Sequence, residues 1–110
     1  IPAVLRRIGK YGDGWFPQIA PDDAAREALD AIYATAEAAG RKREDIGIEA
    51  RAEAGRMGPE GYEAFVRAWQ GLGATHMGIN TMNAGFTSVQ QHVDAISRFK
   101  EVVTPLVATP

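Results

Sequence analysis

Residues 46–54 read IGIEARAEA, and the strict alternation of their side chains decides the fold class. The even positions are apolar, whereas the odd positions carry one glycine and then three charged side chains, Glu49, Arg51 and Glu53. A period of two places these two sets on opposite faces of an extended chain. The stretch therefore predicts a β-strand with one apolar face for a core and one charged face.

A shorter strand is predicted on each side of this central strand. Residues 14–17, GWFP, have the aromatic composition of a short strand that a proline closes. Residues 75–81, THMGINT, alternate again, with Met77, Ile79 and Thr81 on one face. A turn is predicted at residues 10–14, because the Asp-Gly pair within it adopts positive φ at low cost.

Two helices are predicted before the central strand. The first covers residues 2–8, and the glycines that follow it weaken its periodic pattern. The second begins with an aspartate cap in Asp22-Asp23 and ends at Gly40, a residue suited to the left-handed position after a helix. Its predicted apolar stripe consists of Ala25, Leu29, Ile32 and Ala36.

Two further helices are predicted after the central strand. The third helix starts at Pro59 and ends at Gly73, and the last starts with a capping box of Ser88 and Gln91 and stops before Pro105. The predicted stripe of the third helix is Tyr62, Phe65, Val66, Trp69 and Leu72, and that of the last is Val89, Val93, Ile96, Phe99 and Val103.

The order of these elements is one helix followed by three strand–helix units. Strands that alternate with helices predict an α/β fold with a parallel sheet and right-handed crossovers. Three parallel strands leave two unpaired edges, and the charged face here stays uncovered. We therefore expect either association with further copies or additional strands elsewhere. The chain also begins inside a helix, without a methionine or a leader segment, so we expect residues 1–110 to be a single-domain fragment of a longer protein.

Length, charge and cysteine content exclude several classes of protein. The chain has 110 residues, with 12 basic and 14 acidic side chains and a net charge of -2, which is unlike a dedicated nucleic-acid-binding domain. It contains no cysteine, so disulfide scaffolds and thiolate sites are excluded. Polar residues interrupt the longest uncharged stretch, residues 68–93, which rules it out as a membrane span. We expect a cytoplasmic protein that binds neither nucleic acid nor membrane.

Three motifs that resemble reactive sites are better explained by structure. The glycines of residues 9–14 follow a helix and open a strand, whereas a phosphate-binding loop follows a strand and opens a helix. Ser88, His92 and Asp94 lie on one helix surface with no oxyanion hole, so Ser88 is expected to be a helix cap. His76 lies at the start of its strand, away from the ligand-binding end. No metal site is expected.

The loops that follow the three strands share one rim of the predicted sheet. Ligands of α/β folds bind at this rim, because strand ends and helix N-termini converge there. The polar candidates are Gln18, Arg56, Asn80 and Thr81, together with Asn83. Arg56 is the expected contact for an anion. Glu53 is the charged-face residue nearest the rim, where it would either orient a substrate or form an interior salt bridge.

Residues 2–17, PAVLRRIGKYGDGWFP, resemble a motif of the luciferase-like flavin-dependent oxidoreductases. This family includes bacterial luciferase, alkane-type monooxygenases and deazaflavin-dependent dehydrogenases. Its members have an arginine-bearing helix that runs into an Asp-Gly-Trp turn and strand. Weaker similarity continues at residues 39–49, 72–76 and 92–99.

The resemblance implies part of a (β/α)8 barrel, of which this length holds about three of the eight units. FMN or a deazaflavin would bind at the rim, and we expect Gln18, Arg56, Asn80 and Thr81 to be cofactor-binding residues. The resemblance transfers no catalytic residue to this chain. We therefore expect the C-terminal barrel segment of a flavin- or deazaflavin-dependent oxidoreductase or monooxygenase, a segment that is inactive alone and binds no cofactor tightly.

Two alternative interpretations remain open from the sequence. The chain could be a small α/β oligomerisation or ligand-binding module without catalytic activity, in which copies associate through their open sheet edges. A flavodoxin-like or receiver domain fits the length of the chain but not its pattern. Those folds begin with a buried strand that is followed directly by acidic residues or a phosphate loop.

Overall fold

The computed structural model describes residues 2–107. This part of the chain contains four α-helices, three β-strands and one short 3-10 helix. In chain order they are α1 (Pro2–Tyr11), β1 (Gly14–Trp15), α2 (Asp23–Ala38), the 3-10 helix (Arg43–Asp45), β2 (Gly47–Glu53), α3 (Pro59–Leu72), β3 (His76–Asn80) and α4 (Val89–Val107).

The three strands form one parallel sheet in the order β1-β2-β3. Strand β2 lies in the centre, where Trp15 of β1 pairs with Ile48 and His76 of β3 pairs with Glu49. Helices separate successive strands, as in consecutive strand–helix units of a (β/α)8 barrel. The α/β class, the parallel sheet and the partial-barrel arrangement are thus confirmed.

The core lies between the apolar face of β2 and the helices α2 and α3. Ile48, Ala50 and Ala52 are completely buried, which confirms the face predicted from the alternation. The stripe of α2 is buried in full, and Trp69 of α3 packs in the same cluster. Small alanine side chains on β2 leave room for the larger side chains of the helices that pack on this face.

Helix α1 continues beyond its predicted end and includes Gly9, Lys10 and Tyr11. The prediction was wrong because Gly9 serves a packing purpose here. A Cβ atom at this position would lie 2.4 Å from the carbonyl oxygen of Ile32 and 2.8 Å from the Thr35 Cβ. Glycine therefore lets the backbone of α1 approach α2 closely.

The end of α2 is joined to α1 by one arginine. Gly40, with a φ of 77°, ends the helix as predicted, and the Arg41 N–H donates back to the Ala36 carbonyl at 2.8 Å. The Arg41 guanidinium donates to the carbonyls of Gly9 and Gly12, each at 2.6 Å. These bonds satisfy carbonyls at the end of α1 that no backbone donor reaches.

Helix α4 begins as predicted but ends later. Ser88 and Gln91 form the capping box, because the Gln91 N–H donates to the Ser88 hydroxyl and the Ser88 N–H to the Gln91 side chain. The predicted stop before Pro105 is wrong, since the helix runs through Pro105 to Val107. The Gln70 side chain donates to the Leu106 carbonyl at 3.0 Å, which holds this last turn against α3.

Only the C-terminal half of the stripe predicted for α4 joins the core. Phe99 and Val103 are buried, and the Phe99 ring meets Tyr62 edge to face at 5.1 Å. Burial, with a contribution from Glu60, raises the pKa of Tyr62 and keeps its hydroxyl neutral. The other members of the predicted stripe, Val89, Val93 and Ile96, are exposed in the described structure. No helix within residues 2–107 combines the length and apolarity needed to cross a membrane.

We predict that Gly9→Ala lowers the free energy of unfolding by about 1–3 kcal/mol, because the new methyl group would push α1 away from α2. Gly71→Ala is the matched control, since a Cβ atom there meets nothing within 4 Å and the residue lies inside helix α3. The control is expected to raise stability by up to about 1 kcal/mol. Chemical denaturation followed by circular dichroism measures both changes, and equal effects of the two substitutions would contradict the close crossing.

Candidate functional site

The loops after the three strands enclose a cleft at the C-terminal rim of the sheet. Two cavities of about 340 and 470 Å³ lie there, and both are lined by Gln18, Arg51, Glu53 and Arg56. We call the region that these four residues share the rim cleft. Each cavity is within the size range of small-molecule sites. The cleft therefore has the position and dimensions expected for a ligand site in this fold.

A hydrogen-bonded network holds the Glu53 carboxylate in the rim cleft. The Asn80 side-chain amide donates to one carboxylate oxygen at 2.8 Å, and the Arg51 guanidinium lies 3.3 Å from the other. The Met82 N–H donates to the Asn80 side-chain oxygen at 3.0 Å, which fixes the orientation of the amide. Glu53 is thus an acceptor that Asn80 and Arg51 hold in position.

The rim cleft contains more guanidinium groups than carboxylates. Arg51 contributes one ion pair, to Glu53, and Arg56 makes no side-chain hydrogen bond or ion pair within residues 2–107. Two guanidinium groups against one carboxylate leave the cleft with one excess positive charge. Because guanidinium groups pair well with carboxylates and phosphates, this charge balance favours a ligand that carries an anionic group.

One of the two cavities of the rim cleft lies in a gap between β1 and β2. Strand β1 stops pairing at Trp15, although β2 continues for five residues beyond the paired Ile48. Pro17 would donate the next ladder bond, to the Glu49 carbonyl, but proline has no N–H. We call the opening between residues 17–21 and the edge of β2 the strand gap; the 340 Å³ cavity fills it.

Trp69 of α3 is a core residue that also lines this cavity. The residue is only 1% exposed, and its Nε1 atom is buried with no hydrogen-bond partner within residues 2–107. Other atoms of the side chain therefore form the cavity wall. The sequence pattern assigned Trp69 to the core, and its ring packs there.

Three of the four predicted cofactor-binding residues come together in this region. Gln18, Arg56 and Asn80 line the 470 Å³ cavity, and Gln18 and Arg56 also line the other one. Thr81 lies apart from both cavities, because its hydroxyl is 2.7 Å from Nδ1 of His92 on α4. Sequence reasoning missed Trp69 as a cavity residue; the proline at position 17 was the one available signal that the sheet opens above it.

The histidines and Ser88, the other polar residues considered in the sequence, make contacts within the fold. His76 is exposed, and its Nδ1 atom lies 2.8 Å from the Thr75 hydroxyl. His92 meets Phe86 edge to face at 5.1 Å in addition to its contact with Thr81. Ser88 caps α4, as predicted, and is no nucleophile in a triad. Within residues 2–107 no cluster of three potential metal ligands occurs.

Comparison with known proteins identifies the N-terminal half of the chain. Residues 2–54, which include α1, β1, α2 and β2, match the model of the luciferase-like monooxygenase family. No curated protein and no solved structure gives a significant match. The match covers the motif at residues 2–17 on which the resemblance rests, and the parallel strand–helix order is that of the family's barrel. Residues 2–54 are therefore similar to the luciferase-like monooxygenase family.

Proposed function

We propose that this chain supplies three neighbouring strand–helix units to the barrel of a flavin- or deazaflavin-dependent oxidoreductase. The observation that carries the proposal is the convergence of Gln18, Arg56 and Asn80, each after a different strand or at its end, on one cavity at the C-terminal rim. This is the end of the sheet at which barrels of this kind bind ligands. We propose that a flavin, either FMN or a deazaflavin, contacts the rim cleft.

The side chains present suit such a cofactor. Arg56, without an intramolecular partner in the described part of the chain, would pair with an anionic group such as the phosphate of FMN. The amide of Gln18 would contact carbonyl and N–H groups, whereas that of Asn80 is held by Glu53 and Met82.

When bound, the flavin would supply the hydride-transfer or oxygen-activation chemistry, and the protein would contribute position and electrostatics. The Glu53 carboxylate, held by Asn80 and Arg51, would accept a hydrogen bond from a polar group of the ligand. None of these groups is placed to start a reaction alone, so we assign no catalytic residue to this chain.

We propose that activity requires further strands. In the described structure the outer edges of β1 and β3 have no neighbouring strand, and Glu49, Arg51 and Glu53 lie on a face of the sheet with no second layer. A barrel would pair these edges and turn that face into its interior. We also propose a cytoplasmic location, since a chain without cysteine has no need of an oxidising compartment.

A second candidate function is self-assembly, and a specific observation favours it. Val89, Val93 and Ile96 are exposed apolar residues of α4, the helix that follows β3, and the outer edge of β3 has no neighbouring strand in the described structure. The outer edge of β1 lies on the opposite side of the sheet, so one copy could pair its β3 edge with the β1 edge of the next. Such an assembly would be a binding or structural module without catalytic activity.

We predict that FMN binds the isolated chain weakly and that Arg56→Ala reduces its affinity about tenfold, because a charge-assisted hydrogen bond is lost. Arg98→Ala is the matched control, since Arg98 is an exposed arginine of α4 that pairs with Glu101. Quenching of flavin fluorescence measures the affinities, and riboflavin, which has no phosphate, should bind both variants alike. Equal FMN affinities for the wild type and Arg56→Ala would contradict the proposed contact.

We predict that the isolated chain does not oxidise reduced FMN faster than buffer does, because the uncovered face of the sheet leaves the ring in water. Flavin absorbance under air, followed at several protein concentrations, measures the rate. A rate that grows in proportion to the concentration of the chain would show that the three units alone are an active enzyme.

Self-assembly is tested by mass in solution. If the second candidate is correct, light scattering will give a mass that rises with concentration, and Val93→Lys will return the chain to the monomer. Val107→Lys is the control, because Val107 is exposed at the other end of the same helix. A monomer at high concentration would rule out this candidate.

A further inference from the structure

We infer that the outer face of helices α1 and α2 is an interface at which two copies of this chain associate. The inference is independent of the proposed flavin chemistry and of assembly through the sheet edges, because it concerns a different surface. It depends on three observations: a basic stripe on α1, an acidic stripe on α2, and the direction in which the two helices run.

The basic stripe of α1 consists of Arg6, Arg7 and Lys10, which are all exposed. Helix α1 contains no acidic residue, and none of the three cations forms an ion pair within residues 2–107. They line a groove of about 600 Å³ between α1 and α2, together with Tyr11, which is 72% exposed. Because tyrosine and arginine are enriched at protein interfaces, this surface is typical of a contact with a protein that carries acidic groups.

The acidic stripe of α2 consists of Asp23, Glu27 and Asp30, which are also exposed. Spacings of four and three residues place them on one side of the helix, away from its buried stripe. The basic residue between them, Arg26, turns towards α3, where its guanidinium donates to the Gly71 carbonyl at 3.3 Å. Within residues 2–107 the three carboxylates form no ion pair.

Neither stripe is explained by the stability of its own helix. Arg6 and Lys10 lie one turn apart, a spacing at which like charges repel each other and destabilise a helix. Asp23 and Glu27 have the same spacing. The helix dipole favours Lys10 in the last turn of α1 and Asp23 in the first turn of α2, but it does not extend beyond those turns. Opposite charges from a partner would remove the repulsion in both helices.

The two stripes are offset along the helix axes and do not neutralise each other within one copy. Gly9 crosses α2 at Ile32 and Thr35, so the basic stripe lies beside the C-terminal half of α2. Glu27 lies five residues before Ile32, which is roughly 8 Å along the axis, and Asp23 lies one turn further. The acidic stripe is therefore left to solvent or to a partner.

A two-fold arrangement of two copies removes this offset. Strands β1 and β2 are parallel, and α1 and α2 each precede one of them, so the two helices run in the same direction. A two-fold axis perpendicular to the helices places α1 of one copy on α2 of the other, in the opposite direction. The N-terminal half of each α2 then lies beside the C-terminal half of the opposite α1. The two stripes thus meet twice, each time with three cations against three carboxylates.

The size of this face predicts a weak dimer whose affinity depends on charge. Two adjacent helices, each about 10 Å across, and the roughly 24 Å length of α2 give roughly 500 Å² per copy. Stable complexes bury about 800 Å² per partner. We therefore expect a Kd on the order of 0.1 mM at low salt, and a loss of affinity as salt screens the charges.

Sedimentation equilibrium of the full 110-residue chain tests the interface. The chain is compared in about 25 mM and about 500 mM NaCl, a change that shortens the Debye length from roughly 20 to roughly 4 Å. Two charge-reversed variants are included. Arg6→Glu with Arg7→Glu makes both stripes predominantly acidic, and Glu27→Lys with Asp30→Lys makes both predominantly basic.

The matched control is Arg67→Glu with Arg98→Glu. It changes the net charge by the same amount as the acidic variant, but at exposed sites on α3 and α4. Circular dichroism establishes that every variant is folded before its mass is compared.

We expect the wild type and the control to dimerise at low salt, with affinities at least about tenfold weaker at high salt. Each charge-reversed variant should stay monomeric, because both of its stripes carry the same sign. An equal mixture of the two variants should dimerise with an affinity within about threefold of the wild type, since each acidic stripe then meets a basic one.

Several results would overturn the inference. A wild type that is monomeric at low salt, a dimer that both charge-reversed variants retain, or a mixture that stays monomeric would show that the stripes do not meet. A mass that rises beyond two copies would exclude the two-fold arrangement. A dimer that is insensitive to salt and is lost in Val93→Lys would belong to assembly through the sheet edges. A glutamate-rich peptide that binds the monomeric chain would assign the basic stripe to a different, acidic partner.

Discussion

The pairing of β2 on both sides is the constraint on which the rest of this structure depends. Its apolar face buries Ile48, Ala50 and Ala52 completely, and its two edges carry β1 and β3. All core helices are placed by that face: α2 and α3 pack on it directly, and α4 joins through α3 and β3. Since one strand organises both layers, a register slip of one residue would turn its charged side chains into the core.

The same strand links the core to the candidate site. Alternation sends Arg51 and Glu53 to the opposite face, where Asn80 of the neighbouring strand lies beside Glu53. The early end of β1 at Pro17 then opens the sheet next to these residues, and the backbone of β2 is left without a partner. A local rule for proline thus has a consequence for the shape of the rim cleft, because β1 ends where the N–H is missing and the cavity that Trp69 lines lies there.

The rim cleft is lined both by the segment that matches the luciferase-like family and by the rest of the chain. Residues 2–54 contain β1, β2 and the helices around them, whereas Trp69 and Asn80 lie beyond the matched segment. The rim cleft contains groups from both parts. Asn80 holds the Glu53 carboxylate, and residues of α3 line the helix side of the 340 Å³ cavity. The family match therefore identifies the origin of the segment, and the geometry shows what the remainder adds to it.

Much of this protein was determined by local sequence patterns. The alternation of residues 46–54 specified β2 and its buried face, Gly40 specified the end of α2, and Ser88 with Gln91 specified the start of α4. Such signals are reliable because they depend on backbone geometry and hydrogen bonds within a few residues. The motif at residues 2–17 likewise indicated the family before any contact was known.

Other features were decided only by tertiary structure. Gly9 packs closely where α1 crosses α2, and Val89, Val93 and Ile96 stay exposed in the described structure although they share the spacing of Phe99 and Val103. The position of Thr81 against His92 and the orphan N–H of Trp69 likewise depend on residues distant in the chain. Periodicity states which side chains share a face, but the neighbour that covers that face is set by strand register and helix crossing, which no local pattern contains.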